Sequence, residues 1–244
     1  MKLLSNGQFV AGVLFSGVAG FIDAASFLGL NGLFTSHITG NLVIAATEII
    51  GIGGEALWVR IAVIPVFMFA VLLTTVLARR HQLRLAHLIS LETLVLLLFT
   101  ISAFVLDPPH HKSANNLPLF VTGSLGVFSM GMQNALMRES LGHIAPTTAM
   151  TNNLTQFTMD LALISGLQSR ARLQLSFQDL DASRTWLIKF GSSLLGFTIG
   201  AICGGVSTAK FGLISLCFPL MLMIFLSFKV EFVFGNNRLD KKIK

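Results

Sequence analysis

The chain has 244 residues, of which 53% are hydrophobic and only 11% charged, and its formal net charge is +6. An average soluble domain is about one quarter charged, so this composition excludes a soluble globular domain, a disordered chain and a coiled coil. Long apolar blocks predict a polytopic α-helical membrane protein. The positive charge then has an explanation without a nucleic-acid partner, because basic residues collect on the cytoplasmic side of such proteins.

Six apolar stretches are long enough to cross a bilayer core as helices, which takes about 20 residues. In chain order they are Phe9–Leu30, Ile61–Ala78, Leu85–Leu106, Leu117–Met137, Phe190–Ala209 and Phe211–Phe228. Two shorter apolar stretches, Leu42–Ile52 and Leu154–Leu167, each follow a run of polar residues. Their length predicts half-helices or re-entrant segments instead of full spans. A cleaved signal peptide at the N-terminus is the less favoured interpretation of the first stretch.

The two halves of the chain carry matching features in the same order. At offsets of 111 or 112 residues, the matched pairs are Gly20 and Gly131, Asp23 and Asn134, Thr39 and Thr151, Asn41 and Asn153, and Glu48 and Asp160. This order predicts two membrane repeats, residues 1–113 and 114–244, which together form one membrane domain.

The distribution of Lys and Arg predicts the topology. With six spans and a cytoplasmic N-terminus, 14 of the 17 basic residues lie inside, whereas eight crossings place 12 inside at best. The positive-inside rule therefore favours six spans, with both termini cytoplasmic. Three crossings per half make the second repeat inverted, as in many secondary transporters. Eight crossings would make the repeats parallel.

Polar residues at the starts of the half-helices form the first candidate site. The free N–H groups and the positive dipole end of a helix attract ligands, and Thr and Asn side chains add donors and acceptors. The expected substrate-binding residues are Thr39, Gly40, Asn41, Gln133, Asn134, Thr151, Asn152 and Asn153. The alternative is ordinary helix capping. His37 has Ala149 as its counterpart, so we expect His37 to be a capping or packing residue.

Three acidic residues, Asp23, Glu48 and Asp160, are the candidates for proton or ion coupling. A carboxylate within a span is costly and should face protein or water. Glu48 and Asp160 follow Asn41 and Asn153 by seven residues, which is two helical turns, so each pair shares a face. The alternatives are a neutral Asp23 bonded to a neighbouring helix, and acids that pair with Lys or Arg and only anchor their helices. Glu92 and Lys189 fall near predicted cytoplasmic ends and receive no role.

Two motifs carry a resemblance to a known family: Gly20-Phe21-Ile22-Asp23-Ala24 and Gly131-Met132-Gln133-Asn134-Ala135. Together with Thr39-Gly40-Asn41 and Thr147-Thr148, they resemble the YoaK-like family of small bacterial multi-pass inner-membrane proteins, which carry a domain of unknown function. The resemblance covers nearly the whole chain, although Asn152 stands where a glycine is expected. It implies a bacterial inner (plasma) membrane location and no established activity.

We therefore expect a secondary transporter or channel for a small solute held between the half-helices, with coupling to a proton or cation. A non-transporting scaffold or assembly factor is the alternative. The sequence has no Walker, HExxH, GxSxG or paired CxxC motif, so we expect no enzyme activity, catalytic residues, metal or cofactor. The expected partners are the lipid bilayer, a small-molecule solute and a coupling ion, and a homo-oligomer is left open.

Overall fold

The computed structural model describes residues 6–51, 56–106, 116–139, 150–165 and 177–234, and every regular element in these ranges is helical. The helices are α1 (Asn6–Gly29), α2 (Ile38–Ile49), α3 (Leu57–Arg79), α4 (Leu85–Val105), α5 (Leu117–Glu139), α6 (Met150–Ile164), α7 (Phe177–Phe211) and α8 (Cys217–Phe234). A 3-10 turn, Gly212–Leu216, joins α7 to α8. The all-helical fold predicted from composition is confirmed for this part of the chain.

Four segments of the described chain are long and apolar enough to cross a membrane. They are Phe9–Gly29, Leu57–Arg79, Leu85–Val105 and Asp181–Lys229. The last has 49 residues and covers most of α7 and α8, so it contains two of the predicted spans. Helix α5 coincides in position with the predicted span Leu117–Met137, but Gly, Ser, Gln and Asn make it less apolar than these four.

The two short helices lie where half-helices are predicted. Helix α2 has 12 residues and α6 has 15, so at about 1.5 Å per residue both are shorter than the roughly 30 Å hydrocarbon core. Both begin four residues before the predicted apolar stretches, at Ile38 and Met150. The polar runs Thr39–Asn41 and Thr151–Asn153 therefore form the first turns of these helices.

Helices α1 and α7 cross at backbone contact along a row of glycines. Gly196, Gly200 and Gly204 recur every four residues on one face of α7, and a Cβ on Gly200 would overlap the carbonyl oxygen of Gly17. A Cβ on Gly20 would likewise overlap the carbonyl oxygen of Phe197. Small residues at this spacing let two membrane helices approach closely. The contacts advance in the same direction along both chains, so α1 and α7 run parallel.

The first helix of each half of the chain packs against helices of the other half. Helix α1 packs on α7 and α8, and α5 packs on α3 and α4. Each half-helix packs on the long helix that follows it, α2 on α3 and α6 on α7, while α4 packs on α8. The two halves are therefore interleaved and share one core, in which Phe15, Leu96 and Phe99 are fully buried.

Candidate functional site

Asp23 holds the connection between α1 and α2 against the body of the protein. Its side chain is buried, and its Oδ1 accepts hydrogen bonds from the backbone N–H groups of Thr35, at 2.9 Å, and Ser36, at 2.8 Å. Oδ2 pairs with Nδ1 of His37, the residue immediately before α2. The carboxylate therefore satisfies free N–H groups and lies at the positive dipole end of α2.

His37 has a larger part in this site than the sequence indicated. Besides the pair with Asp23, its ring meets the rings of Phe34 and Phe197 edge-on, with centroid distances of 6.1 and 5.5 Å. It therefore joins the start of α2 to α7. Asp23 and His37 are 14 residues apart, and the position matched to His37 in the second half is Ala149. Neither helical periodicity nor the predicted repeat could therefore reveal the pair.

The side chain of Asn41 forms hydrogen bonds with the backbone of the connection between α1 and α2. Its Oδ1 accepts from the N–H of Phe34 at 2.9 Å, and its Nδ2 donates to the carbonyl of Phe34 at 2.8 Å. Gly40 packs against the ring of Phe34, while Thr39 is exposed on the isolated chain. The amide of Asn41 thus acts as a cap in this conformation, and it can contact a solute only if this turn opens.

The expected site residues in the second half of the chain are less completely described. Asn153 is buried and its Nδ2 donates to Sδ of Met150 at 3.8 Å, whereas Thr151 and Asn152 are exposed. Thr147 and Thr148, which carry part of the family resemblance, lie outside the described residues. Asn153, like Asn41, therefore has a buried side chain in the first turn of a short helix.

Gln133 and Asn134 lie on α5, away from the first turns of α2 and α6 in sequence. Gln133 is fully buried, and its Nε2 donates to the carbonyl of Phe15 at 2.9 Å, which ties α5 to α1. Asn134 is half-buried, and its Oδ1 accepts no hydrogen bond within the described part of the chain. Of the two, Gln133 therefore has a visible role in helix packing.

Glu48 and Arg60 form a buried ion pair at one end of α2. Their Oε1 and Nε atoms are 3.0 Å apart, and their side chains are only 1% and 4% exposed. Arg60 also donates to the carbonyl oxygens of Gly32 and Asn31, at 2.7 and 2.6 Å. Both of these residues have the left-handed φ that ends α1. This geometry matches the anchoring alternative for Glu48.

Asp160 occupies the corresponding place on α6. It is buried and accepts a hydrogen bond from Nε2 of Gln156 at 3.1 Å. Phe157 packs against Gly191 of α7, so in an antiparallel helix pair Asp160 comes level with Ile188, next to Lys189, which is also buried. Each short helix thus carries a buried acidic side chain, and the long helix that follows it carries a buried basic one.

Glu92 is a buried acid to which the sequence analysis gave no role. It lies two turns inside α4, is 0% exposed, and neither carboxyl oxygen has a hydrogen-bond partner among the described residues. Its distance from the start of the helix indicated that it could reach the membrane surface. Its burial follows from the packing of α4 against neighbouring helices, among them α5 and α8.

A groove of about 230 Å³ lies where α1, α7 and α8 meet. Its lining consists of apolar residues and glycine, among them Val13, Gly17, Phe21 and Pro219. None of the expected site residues lines it, and its walls offer no polar side chain to a solute. Among the described residues, no group of three or more His, Cys, Asp or Glu side chains could hold a metal ion.

These observations define a polytopic α-helical membrane protein in which a charged connection is folded into the helical bundle. Residues 11–228 match the family described as protein of unknown function (DUF1275), and the chain therefore belongs to that family. The match confirms the resemblance to YoaK-like proteins. No curated protein and no solved structure matches the chain.

Proposed function

We propose that the protein is a small-solute transporter or channel of the bacterial inner membrane, with its solute site at the starts of α2 and α6. The observation that carries the proposal is the Asp23–His37 pair, which lies at the N-terminal end of a short helix, with Asp23 buried on α1 and the ring of His37 against Phe197 of α7. Ionisable groups inside a membrane domain are costly, and they mark solute and proton pathways by default.

The starts of the two short helices approach the same level of α7. His37, just before α2, touches Phe197. On the other side Phe157 packs against Gly191, and two turns back along an antiparallel pair Met150 comes level with Thr198. The N-termini of α2 and α6, which carry the positive ends of the helix dipoles, lie at a similar height along α7. This arrangement supports binding of a neutral or weakly acidic solute. The Asp23–His37 pair supplies a group that can exchange a proton there.

The contacts of Arg60 support a six-span topology with an inverted repeat. Arg60, near the beginning of α3, binds both Glu48 near the end of α2 and the carbonyls that follow α1. Helix α2 therefore begins beside Asp23, within the depth of α1, and ends level with the end of α1. This is the path of a segment that enters and leaves on one side. The exchange of α1 and α5 between the halves gives them a shared interface, which is where transporters built from inverted repeats bind their solutes.

A topology reporter fused after Ile52 should be external, and one fused after Gln168 should be cytoplasmic. A third reporter after Arg80 should also be cytoplasmic, because three arginines lie at or just after the end of α3: Arg79, Arg80 and Arg84. In an eight-span chain with the same N-terminal orientation, the reporter after Ile52 would be cytoplasmic and the one after Arg80 external. That pair of signals would rule out the six-span arrangement.

Solute binding should depend on Asp23. A thermal-stability screen of the purified full-length protein over small neutral and weakly acidic metabolites should yield solutes that raise the unfolding temperature, since a ligand at about 100 times its Kd stabilises the native state by roughly 2.7 kcal/mol. The Asp23→Asn variant should lose this shift, because the amide cannot replace a charge paired with His37. Glu139→Gln is the control, since Glu139 pairs with Arg79 at the ends of α3 and α5.

The same proteins in liposomes then separate transport from binding alone. Uptake of a solute found in the screen, lost in Asp23→Asn and kept in Glu139→Gln, is the expected result. A solute shift that survives unchanged in Asp23→Asn would remove this site from binding. Binding without flux would favour a scaffold, which the internal bonding of Asn41 and Glu48 and the exposed apolar face of α2 also suit.

A further inference from the structure

Glu92 has the surroundings of a proton-binding residue. Both of its carboxyl oxygens are buried without a hydrogen-bond partner among the described residues. A charged carboxylate without a counter-ion is costly to enclose, because nothing replaces the water it has lost. The neutral acid is far less costly to bury, so this environment favours a carboxyl group that carries its proton.

The register between α4 and α5 indicates what Glu92 faces. The ring of Phe99 reaches the backbone of Gly126 on α5. Glu92 lies two turns before Phe99 on the same face of α4. In an antiparallel pair its neighbour is therefore two turns after Gly126, which is Gln133. Gln133 is fully buried, so the acid and the amide share the interface between the two helices.

A line of buried polar side chains follows this face of α5. Thr122, Ser129 and Gln133 are each 0% exposed, and they share with Gly126 the spacing of one helix face. The hydroxyl oxygens of Thr122 and Ser129 have no hydrogen-bond partner within the described ranges. Gly126 also meets the side chain of Thr35, whose backbone N–H binds Asp23. The line thus spans about 10 Å between the level of the Asp23–His37 pair and that of Glu92.

We propose that Glu92 is an intramembrane proton-binding site, connected to the Asp23–His37 pair by the polar face of α5. The proton leaves the carboxyl O–H of Glu92 for a water molecule between α4 and α5 and passes through further waters to the Asp23–His37 pair. The reverse transfer restores the acid. Proton binding at Glu92 does not depend on the proposed transport function. Only the coupling of this proton to solute transport rests on that proposal.

The charged groups on the helices around Glu92 leave it without a close counter-ion. Helix α4 packs on α5, α8 and the 3-10 turn. Within the described side chains, the titratable groups on these elements and on α4 itself, other than Glu92, are His87, Arg138, Glu139, Lys229 and the free thiol of Cys217, and a thiol supplies no positive charge. His87, Arg138 and Lys229 are exposed, and Glu139 is paired with Arg79.

The protonated state can be detected directly by infrared spectroscopy. The full-length protein in liposomes should show a carbonyl band of a protonated carboxylic acid near neutral pH. The band should be lost in Glu92→Gln and kept, with a shift, in Glu92→Asp. Glu48→Gln is the matched control, because Glu48 is held by Arg60 and should contribute no such band. A wild-type spectrum in which Glu92→Gln removes no band would overturn the proposal.

Labelling with dicyclohexylcarbodiimide gives an independent chemical readout. This apolar reagent adds to a protonated carboxyl group: the acid proton moves to one reagent nitrogen, an oxygen bonds to the central carbon, and an acyl shift leaves a stable N-acylurea. Peptide mass spectrometry should find the adduct at Glu92, with labelling that falls as pH rises, and none at Glu48. Labelling of Glu48 with Glu92 unmodified would contradict the assignment.

Uptake measurements separate this inference from the proposed function. If no solute is transported but the band and the adduct are present, the proton site stands and the transport proposal fails. If a solute is transported and Glu92→Gln keeps the wild-type pH dependence of uptake, the connection to transport fails. The thermal unfolding transition of each variant verifies that it is folded.

Discussion

The Gly200→Ala variant should unfold at a markedly lower temperature than the wild-type protein. The added methyl group would overlap the carbonyl oxygen of Gly17, and the carbonyl carbon and Cα of the same residue are within 2.8 Å. These are backbone atoms, so no side-chain rotation can relieve the overlap and the two helices must separate. Overpacking a core costs about 1–3 kcal/mol where side chains can adjust, and we expect a value at or above the top of that range.

Gly205 provides a matched control on the same helix. A Cβ at this position meets nothing within 4 Å, so Gly205→Ala adds the same methyl group without a clash. Alanine is also a better helix former than glycine by roughly 1 kcal/mol. Thermal unfolding in detergent should therefore show Gly205→Ala at or above the wild-type transition. Equal transitions for the two variants would mean that α1 and α7 are not in backbone contact.

Removing Arg60 should also destabilise the protein strongly. In Arg60→Met the buried carboxylate of Glu48 loses its counter-ion, and the carbonyls of Asn31 and Gly32 lose their donor. Breaking one partner of a buried ion pair costs about 3–5 kcal/mol, because the remaining charge is left without compensation. We expect a loss of stability in this range, measured by chemical unfolding in mixed micelles.

The double variant Arg60→Met with Glu48→Gln should recover much of that loss, since no buried charge remains. Arg79→Met is the control, because Arg79 pairs with Glu139 while largely exposed, and such pairs add little stability. The double variant also decides the role of Glu48. If the double variant regains stability and takes up solute normally, the Glu48–Arg60 pair only anchors α2. If it regains stability but takes up no solute, Glu48 remains a candidate coupling residue.

Hydropathy was sufficient to locate the long helices. Helix α4 begins at Leu85, as predicted, and ends one residue before the predicted boundary. The starts of the short helices were predicted four residues late. Hydropathy locates a helix by its apolar residues, so a first turn made of polar residues was assigned to the preceding loop. Helix α7 begins at Phe177, before the predicted Phe190, since a helix can continue through polar residues after it leaves the apolar core.

The candidate site was only partly predictable, because its bonds depend on how one connection folds back. Asp23 was selected as a costly charge within a span, but its partner His37 is reached only once residues after α1 turn towards the bundle. Glu48 was selected from the repeat, while Arg60 lies one residue before the predicted span Ile61–Ala78 and was not selected. Glu92 illustrates the same limit, because hydropathy reports the composition of a segment and not which of its faces is enclosed by other helices.

The parallel crossing of α1 and α7 sets an order of events during synthesis. Helix α1 ends at Gly29, and its main partner begins only at Phe177. At about 5–20 residues per second, the ribosome needs on the order of ten seconds to produce the intervening chain. The bonds from Asp23 to residues 35–37 can form almost at once. The face of α1 that contains Gly17 and Gly20, in contrast, remains exposed to lipid until α7 has been synthesised. A nascent chain that stalls before Phe177 would thus present an orphan helix to the insertion and proteolytic machinery of the membrane.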